Sequence, residues 1–223
     1  MDMKDIKFNI SRYKPGVMDP PRFEAFHLKV NDHMTIIDCL EAVRMRFDGT
    51  LTYRHSCHHA SCGACAMVIN GKEMLACTTR VLSLDADNII IEPLKGFRRI
   101  SDLVVDMAGF TADLDEHRSI LMPSEKKGFE RFENCIECGA CDSACPEMDE
   151  KRTFMGPAAL AAISRTIAKC GDEDAAKKEG LMARAKGPSG ADLCKRALQC
   201  GKACPKHVYP AMHIHHLKEI HRK

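Results

Sequence analysis

Residues 54–79 read RHSCHHASCGACAMVINGKEMLACTT, and the spacing of their cysteines decides the fold of the N-terminal half. Cys57, Cys62 and Cys65 form C-x4-C-x2-C, and Cys77 follows after eleven residues. This is the plant-type ferredoxin spacing for a [2Fe–2S] centre. Such a centre needs thiolates that converge on a small inorganic core, and its sulfur atoms accept hydrogen bonds. Ala60, Ser61, Gly63 and Ala64 are small, so backbone amides can close around that core. Asn70-Gly71 is a tight-hairpin signal that returns the chain to Cys77. Two other metal readings fail on their offsets. A Rieske box beginning at Cys57-x-His59 would need a later Cys-x2-His, but Arg80 stands at that offset from Cys77 and Cys65 at that offset from Cys62. A zinc ribbon would pair C-x2-C boxes some 15–20 residues apart, whereas Cys62/Cys65 and Cys135/Cys138 are separated by about seventy.

Moving outward, NCIECGACDSACP (134–146) reads C-x2-C-x2-C-x3-C-P, the run of bacterial two-cluster ferredoxins, in which the fourth cysteine ligates the other cluster. That rule predicts a crossed arrangement. Cys135, Cys138 and Cys141 would hold a [4Fe–4S] cluster with Cys204 as fourth ligand. Cys145 would join Cys194 and Cys200 of CKRALQCGKACP (194–205). This last box is one thiol short, because Ala197 occupies its second cysteine place. Three thiolates suit a [3Fe–4S] cluster; a [4Fe–4S] cluster with a water or other outside ligand is the alternative. Of the 13 cysteines, Cys39 and Cys170 fall outside all three sets. Cys39 is read as a small buried hydrophobe and Cys170 as a non-ligand.

The remaining composition is that of a folded chain, with 45% apolar and 29% charged residues over 223. There is no run of about 18 apolar residues of the kind that crosses a membrane. The start, MDMKDIKFNI, lacks an apolar signal region, so export is not expected and metal is preferred to disulfides. A net charge of +2 gives no global argument for nucleic acid. The sequence carries neither a nucleophile or acid–base set nor a dinucleotide fingerprint. The chain is therefore read as an electron conductor with no catalytic residue.

The expected fold class is α+β, in two domains. Residues 1–106 form a β-grasp [2Fe–2S] ferredoxin-like domain. Residues 107–223 form an all-α domain of the bacterial two-cluster ferredoxin type. IKFNISRY and FEAFHLKV alternate as a hairpin around a loop at 14–21. Thr35 caps a helix through Arg46 with Ile36, Ile37, Leu40, Val43 and Met45 as its apolar residues. Strands are expected at 66–69 and 88–92, and 100–107 begins the crossover. Gly156-Pro157 opens an Ala-rich helix to Lys169, residues 171–190 read as a solvated excursion, and another helix follows Pro210.

The three boxes together, with FMGPAALAAISR (154–165) between them, resemble the iron–sulfur subunits of succinate dehydrogenase and fumarate reductase from about Ile6 to Leu217. The resemblance implies [2Fe–2S], [4Fe–4S] and [3Fe–4S] clusters on this chain. It implies a flavoprotein partner whose FAD interconverts succinate and fumarate, so that substrate chemistry lies on that partner. It also implies a membrane anchor of cytochrome b type, with quinone and haem b, and a peripheral place on the cytoplasmic face of the inner membrane. Electrons would run from FAD through the three clusters to quinone, or in reverse. There are departures. Glu147–Lys151 stands where quinone-reducing relatives carry Trp and Ser, and Lys195 stands where a His is frequent. These leave open a thiol/disulfide or other non-quinone partner, and a free-standing carrier is the further alternative. His55, His58 and His59 flank the first box and are read as partners of sulfur or of the flavoprotein, or as cover for the loop. The tail histidines 207, 213, 215, 216 and 221 read as a solvated or partner-facing helix. Seven Lys/Arg against one Glu over the last 29 residues suit either solvent or anionic headgroups.

Overall fold

Strict alternation of apolar residues builds the first sheet. In β1 (Lys4–Lys14) Ile6, Phe8 and Ile10 are buried while Asp5, Lys7 and Asn9 between them are exposed or half-exposed, as a period of two requires; beyond Ile10 the strand is buried at Ser11 and Arg12 as well. β2 (Met18–Val30) pairs antiparallel with it, Phe8 opposite Phe26 and Ile6 opposite Leu28. β5 (Asn88–Glu92) lies parallel to β1 on its other side, with Ile89 and Ile91 turned inward. β3 (Ala66–Ile69) and β4 (Lys72–Leu75) form a hairpin whose β3 pairs with β5. The order is β2-β1-β5-β3-β4, a mixed five-stranded sheet. All four residues of β3 are buried, so the strand leaving the first cysteine box is covered on both faces.

The computed structural model describes residues 3–114 and 134–222; residues 115–133, inside the expected second domain, lie outside the description. The chain divides into two units, Met1–Asp106 and Met107–Lys223. In the first, α1 (Ile36–Arg46) opens with a capping box in which Thr35 Oγ1 accepts from Asp38 N and Asp38 Oδ2 accepts from Thr35 N. Its first amides reach further. Ile36 N donates to Thr79 O at 2.9 Å and Ile37 N to Ala76 O at 3.1 Å, so the helix start grips the segment around Cys77. Ile36, Ile37, Leu40 and Val43 are buried as expected, but Met45 is 84% exposed. The sheet side of the helix is complete without it.

A buried ion pair sits inside this unit. Arg12, fully buried at the end of β1, donates to Asp102 (3.1 Å), Glu24 (2.7 Å), Asp48 (2.6 Å) and Thr50 (3.1 Å). Asp102 is equally buried and also accepts from the backbone N–H groups of Tyr13 and Thr52. The Thr50 hydroxyl first, then the Arg12 guanidinium and the Thr50 N–H, hold the Asp48 carboxyl well below the usual carboxylate range. The cluster ties β1 and β2 to the loop after α1. It also ties them to the turn between β6 (Arg99–Ser101) and β7 (Val104–Val105). That hairpin stands where the sequence reading began a crossover. Arg12→Leu is expected to cost about 3–5 kcal/mol, because it strands a buried carboxylate without its counter-charge. Urea unfolding followed by circular dichroism reads the loss, and an unchanged midpoint would show the network to be inert.

The second unit is helical. α2 spans Ala108–Leu114, α3 Ala140–Ser143, α4 Gly156–Lys169, α5 Ala175–Lys186, α6 Gln199–Ala203 and α7 Pro210–Arg222. From Gly156 to Ile167 every residue of α4 is buried. Its Leu160, Ile163 and Ile167 pack with Ile214 and Leu217 of α7 and with Leu181 and Ala185 of α5. The excursion expected at 171–190 is therefore corrected. It contains a twelve-residue helix, which buries Leu181 and Ala185, packs Met182 against the same core and ties Arg184 to Asp113 O at 3.1 Å.

Candidate iron–sulfur sites

The first site is a loop between α1 and β3. Cys57 Sγ accepts from Ser61 N and Cys62 N, both at 3.3 Å; Cys62 Sγ accepts from Cys57 N at 3.5 Å, and Cys77 Sγ from Ala60 N at 3.3 Å. The small residues thus place amides on sulfur, as the sequence implied. His58 and Ala60 take left-handed backbone (φ 60° and 59°), as does Gly63 (φ 71°), and this curls the loop so that its amides face inward. Cys77 returns through a turn with Asn70 and Gly71 both at positive φ (47° and 76°), the type I′ geometry. Donation from backbone N–H groups, that of His59 first, brings the Cys57 thiol down to about 6, whereas burial pushes Cys65 up to about 12. The imidazoles do not reach sulfur in the bonds observed. His59 Nδ1 meets Cys57 O, and His55 and His58 meet each other.

The second unit brings the other seven cysteines into two sets. Cys135, Cys138, Cys141 and Cys204 line one recess with apolar walls from Phe110, Ile136 and Val208. Cys204 acts electrostatically on each of the other three. Burial pushes Cys135 up to about 12 and Cys138 up to about 11, and it raises Cys141 well above the ordinary thiol range. Val208 N donates to Cys204 Sγ at 3.3 Å. Cys145, Cys194 and Cys200 line a second cavity of about 310 Å³, together with Ala197. Burial raises Cys145, and pushes Cys200 up to about 12. Lys218 of α7 donates to Cys194 O at 3.0 Å, and Arg196 and His215 meet at 3.2 Å on the same rim.

The thiols that burial raises, Cys65 at the first site and Cys135, Cys138, Cys141, Cys145 and Cys200 at the others, are costly to deprotonate unless a cation neutralises them, while Cys57 is eased by its backbone N–H donors. A ferric–sulfide core supplies that charge, and thiolates are its ligands. The donor set therefore fits iron–sulfur clusters at all three places. Cys39 is fully buried in α1 with its thiol pushed up to about 12, and Cys170 ends α4; neither joins a set.

Sequence reasoning missed what locks α3 to α4. Asp142, next to Cys141 and fully buried, accepts from Ala158 N (3.1 Å) and Arg152 Nη2 (3.1 Å). Burial raises its carboxyl, and Arg152 opposes that rise. Asp142 thus caps the start of α4 from a different segment, where Met155 offers no side-chain cap. Gly156 is required there. Its φ is 94°, and a Cβ would meet the Asp142 carboxylate at 2.5–2.9 Å. Nothing in local sequence spacing marks a cap supplied from fourteen residues upstream. Of the tail histidines, His213 is buried and brought down to about 4 by burial, while His207, His215 and His216 are exposed; the side chain of His221 lies outside the description.

Residues 7–112 match the family model of a 2Fe-2S iron-sulfur cluster binding domain, and residues 131–208 that of a 4Fe-4S dicluster domain. The fumarate reductase iron-sulfur subunit of Mycobacterium tuberculosis is 34% identical over 97% of this chain and 92% of its own length. The fumarate reductase iron-sulfur subunit of an Escherichia coli O6:H1 strain is 32% identical over 96% and 91%. The succinate dehydrogenase iron-sulfur subunit of Coxiella burnetii is 32% identical over 95% and 94%. In fold, a chain of the Mycobacterium smegmatis Sdh1 complex in the apo form superposes with a TM-score of 0.80 at 22% identity, covering 100% of this chain and 98% of that one.

Proposed function

Because this chain belongs to the iron–sulfur subunits of succinate dehydrogenase and fumarate reductase, we propose that it conducts electrons between the FAD of a flavoprotein subunit and a quinone-reactive membrane subunit. The observation that carries this reading is the convergence of eleven cysteines into three separate sets. Cys57, Cys62, Cys65 and Cys77 hold [2Fe–2S]; Cys135, Cys138, Cys141 and Cys204 hold [4Fe–4S]; Cys145, Cys194 and Cys200 hold [3Fe–4S]. When bound, the clusters accept and release single electrons. Everything else is the work of the chain. Backbone amides on Cys57 and Cys77 stabilise added negative charge at the first site, and apolar walls keep water from the second. At the third, Lys218 and Arg196 bring positive charge to the cavity rim, which favours the reduced state there. No residue of this chain handles succinate or fumarate; the flavoprotein does.

The anchor is read as a cytochrome b type that binds quinone, with haem b, on its own residues, since Glu147–Lys151 supplies no Trp or Ser for a pocket. Among the described residues no helix is long and apolar enough to cross a membrane. We read attachment as peripheral and through that anchor, on the cytoplasmic face of the inner membrane. The test is purification of the tagged chain from its native membranes. Stoichiometric FAD and succinate-dependent dye reduction are expected, with a three-iron paramagnetic resonance signal in the oxidised state. A cluster-loaded chain that isolates without any flavoprotein would instead make it a free-standing carrier.

A further inference from the structure

We propose that Glu41, His55 and His58 form a site for one divalent transition cation of the zinc class, beside the first cysteine loop. One donor atom from each of the three lies within 4.8 Å of the other two. His55 Nδ1 and His58 Nε2 are 3.0 Å apart, and His58 Nε2 is 3.9 Å from Glu41 Oε1. The two rings meet edge to face, 74° apart, and are not stacked. Zinc binds nitrogen and carboxylate oxygen at about 2.0–2.2 Å in tetrahedral geometry, which sets its ligands about 3.3–3.5 Å apart. The imidazole pair has to open by a few tenths of an ångström, and the carboxylate to close by about half an ångström toward His58 and by up to about 1.4 Å toward His55. Glu41 can do so, because it is a long side chain, 40% exposed, on the outer face of α1.

The chemistry of the set is specific. Two imidazoles and one carboxylate are the donors of zinc centres that keep a fourth position open. Here that position faces solvent and takes water. His58 is held in place by the left-handed turn immediately after Cys57, and the His55 ring packs against Tyr53 at 5.2 Å. Two ring nitrogens at 3.0 Å share one hydrogen. On binding, the cation replaces that hydrogen, which moves to the other nitrogen of the same ring, so both imidazoles stay neutral and no proton need leave. A dication at His58 stands one residue from Cys57. Its field favours electron uptake at that cysteine set, so occupancy tunes the first centre.

The test uses the full-length chain carrying all three clusters, washed with a chelator and titrated with zinc chloride by calorimetry. One zinc per chain is expected at this site, reversible by chelator. His55→Gln and Glu41→Gln should each weaken it about tenfold or more. The reduced [2Fe–2S] resonance signal should keep its amplitude in both variants, which shows the loop intact, and its midpoint should rise with zinc in the unaltered chain only. Equal affinity and stoichiometry in both variants would place the zinc elsewhere, such as the tail histidines, and overturn the proposal. Absence of binding to the unaltered chain, or zinc uptake that erases the [2Fe–2S] signal by displacing iron, would also overturn it.

Discussion

Cys204→Ala is expected to abolish both clusters of the second unit while leaving the [2Fe–2S] centre at full occupancy. Cys204 stands 63 residues from Cys141 in sequence, yet it completes the recess lined by Cys135, Cys138 and Cys141. It is therefore the bond that closes the unit on itself. α3 and α6 have four and five residues, far below the roughly 12–15 at which an isolated helix holds in water. Only Ala140, Asp142 and Ser143 of α3 and Cys200 of α6 are buried. Structural zinc contributes about 10–16 kcal/mol to small domains that depend on it, and a whole domain is stable by only about 5–15 kcal/mol. A cluster of comparable strength cannot be lost without losing the segments it joins. Cys145 lies four residues beyond Cys141, so the neighbouring cavity fails with the first. The apolar layer of α4, α5 and α7 borders this closure at Ala158 and Pro210 but has its own packing, and should keep part of the helical circular dichroism. Iron content, resonance spectra and limited proteolysis at 134–146 and 194–209 read the outcome. Cys170→Ala is the control and should change none of them. Full iron content with an intact four-iron signal in Cys204→Ala would remove Cys204 from the ligand set.

The parts of the fold that were legible in sequence are those set by local periodicity. β1 and β2 alternate cleanly, and Thr35 with Asp38 spells out the start of α1. Asn70-Gly71 demands its turn. The cysteine boxes stand out in the sequence because thiol spacing is fixed by the cluster and not by the fold. What stayed illegible depends on tertiary structure. α5 is amphipathic in only two residues, Leu181 and Ala185, too few to rise above a charged and Gly-flanked background. β6 and β7 have three and two residues, too short to show a period. The Asp142 cap, the Arg12 network and the meeting of Glu41 with His55 and His58 all join segments far apart in the chain. The left-handed residues at Arg196 and Leu198 were hidden for another reason. Neither is a type that favours positive φ; convergence of the surrounding thiols imposes it.

That imposed backbone argues for the second large effect. From Cys135 the chain is left-handed at the second and fourth residues on, Glu137 (φ 51°) and Gly139 (φ 80°); from Cys194 it is left-handed at the same steps, Arg196 (φ 60°) and Leu198 (φ 59°). α3 begins after Gly139 and α6 after Leu198, and Cys141 and Cys200 follow at equal offsets. Ala197 therefore occupies the backbone place of Cys138, on the wall of the cavity shared by Cys145, Cys194 and Cys200. Ala197→Cys is expected to supply the missing thiolate and raise iron content by about one atom per chain, since a fourth cysteine completes the ligand set of a cubane. The three-iron signal of the oxidised protein should disappear. The midpoint of the third centre should fall steeply, within the roughly −700 to +450 mV that such clusters span. An oxidised three-iron core is wholly ferric and accepts an electron readily, whereas a four-iron core at rest is already half ferrous. Electron transfer past that centre should slow accordingly, with dye reduction ahead of it unchanged. Ala197→Ser, which adds a poor iron ligand of similar size, should keep the three-iron signal and the original midpoint. A full three-iron signal in Ala197→Cys would mean that position 197 does not face the cluster. The matching of the two boxes would then be an accident of their turns.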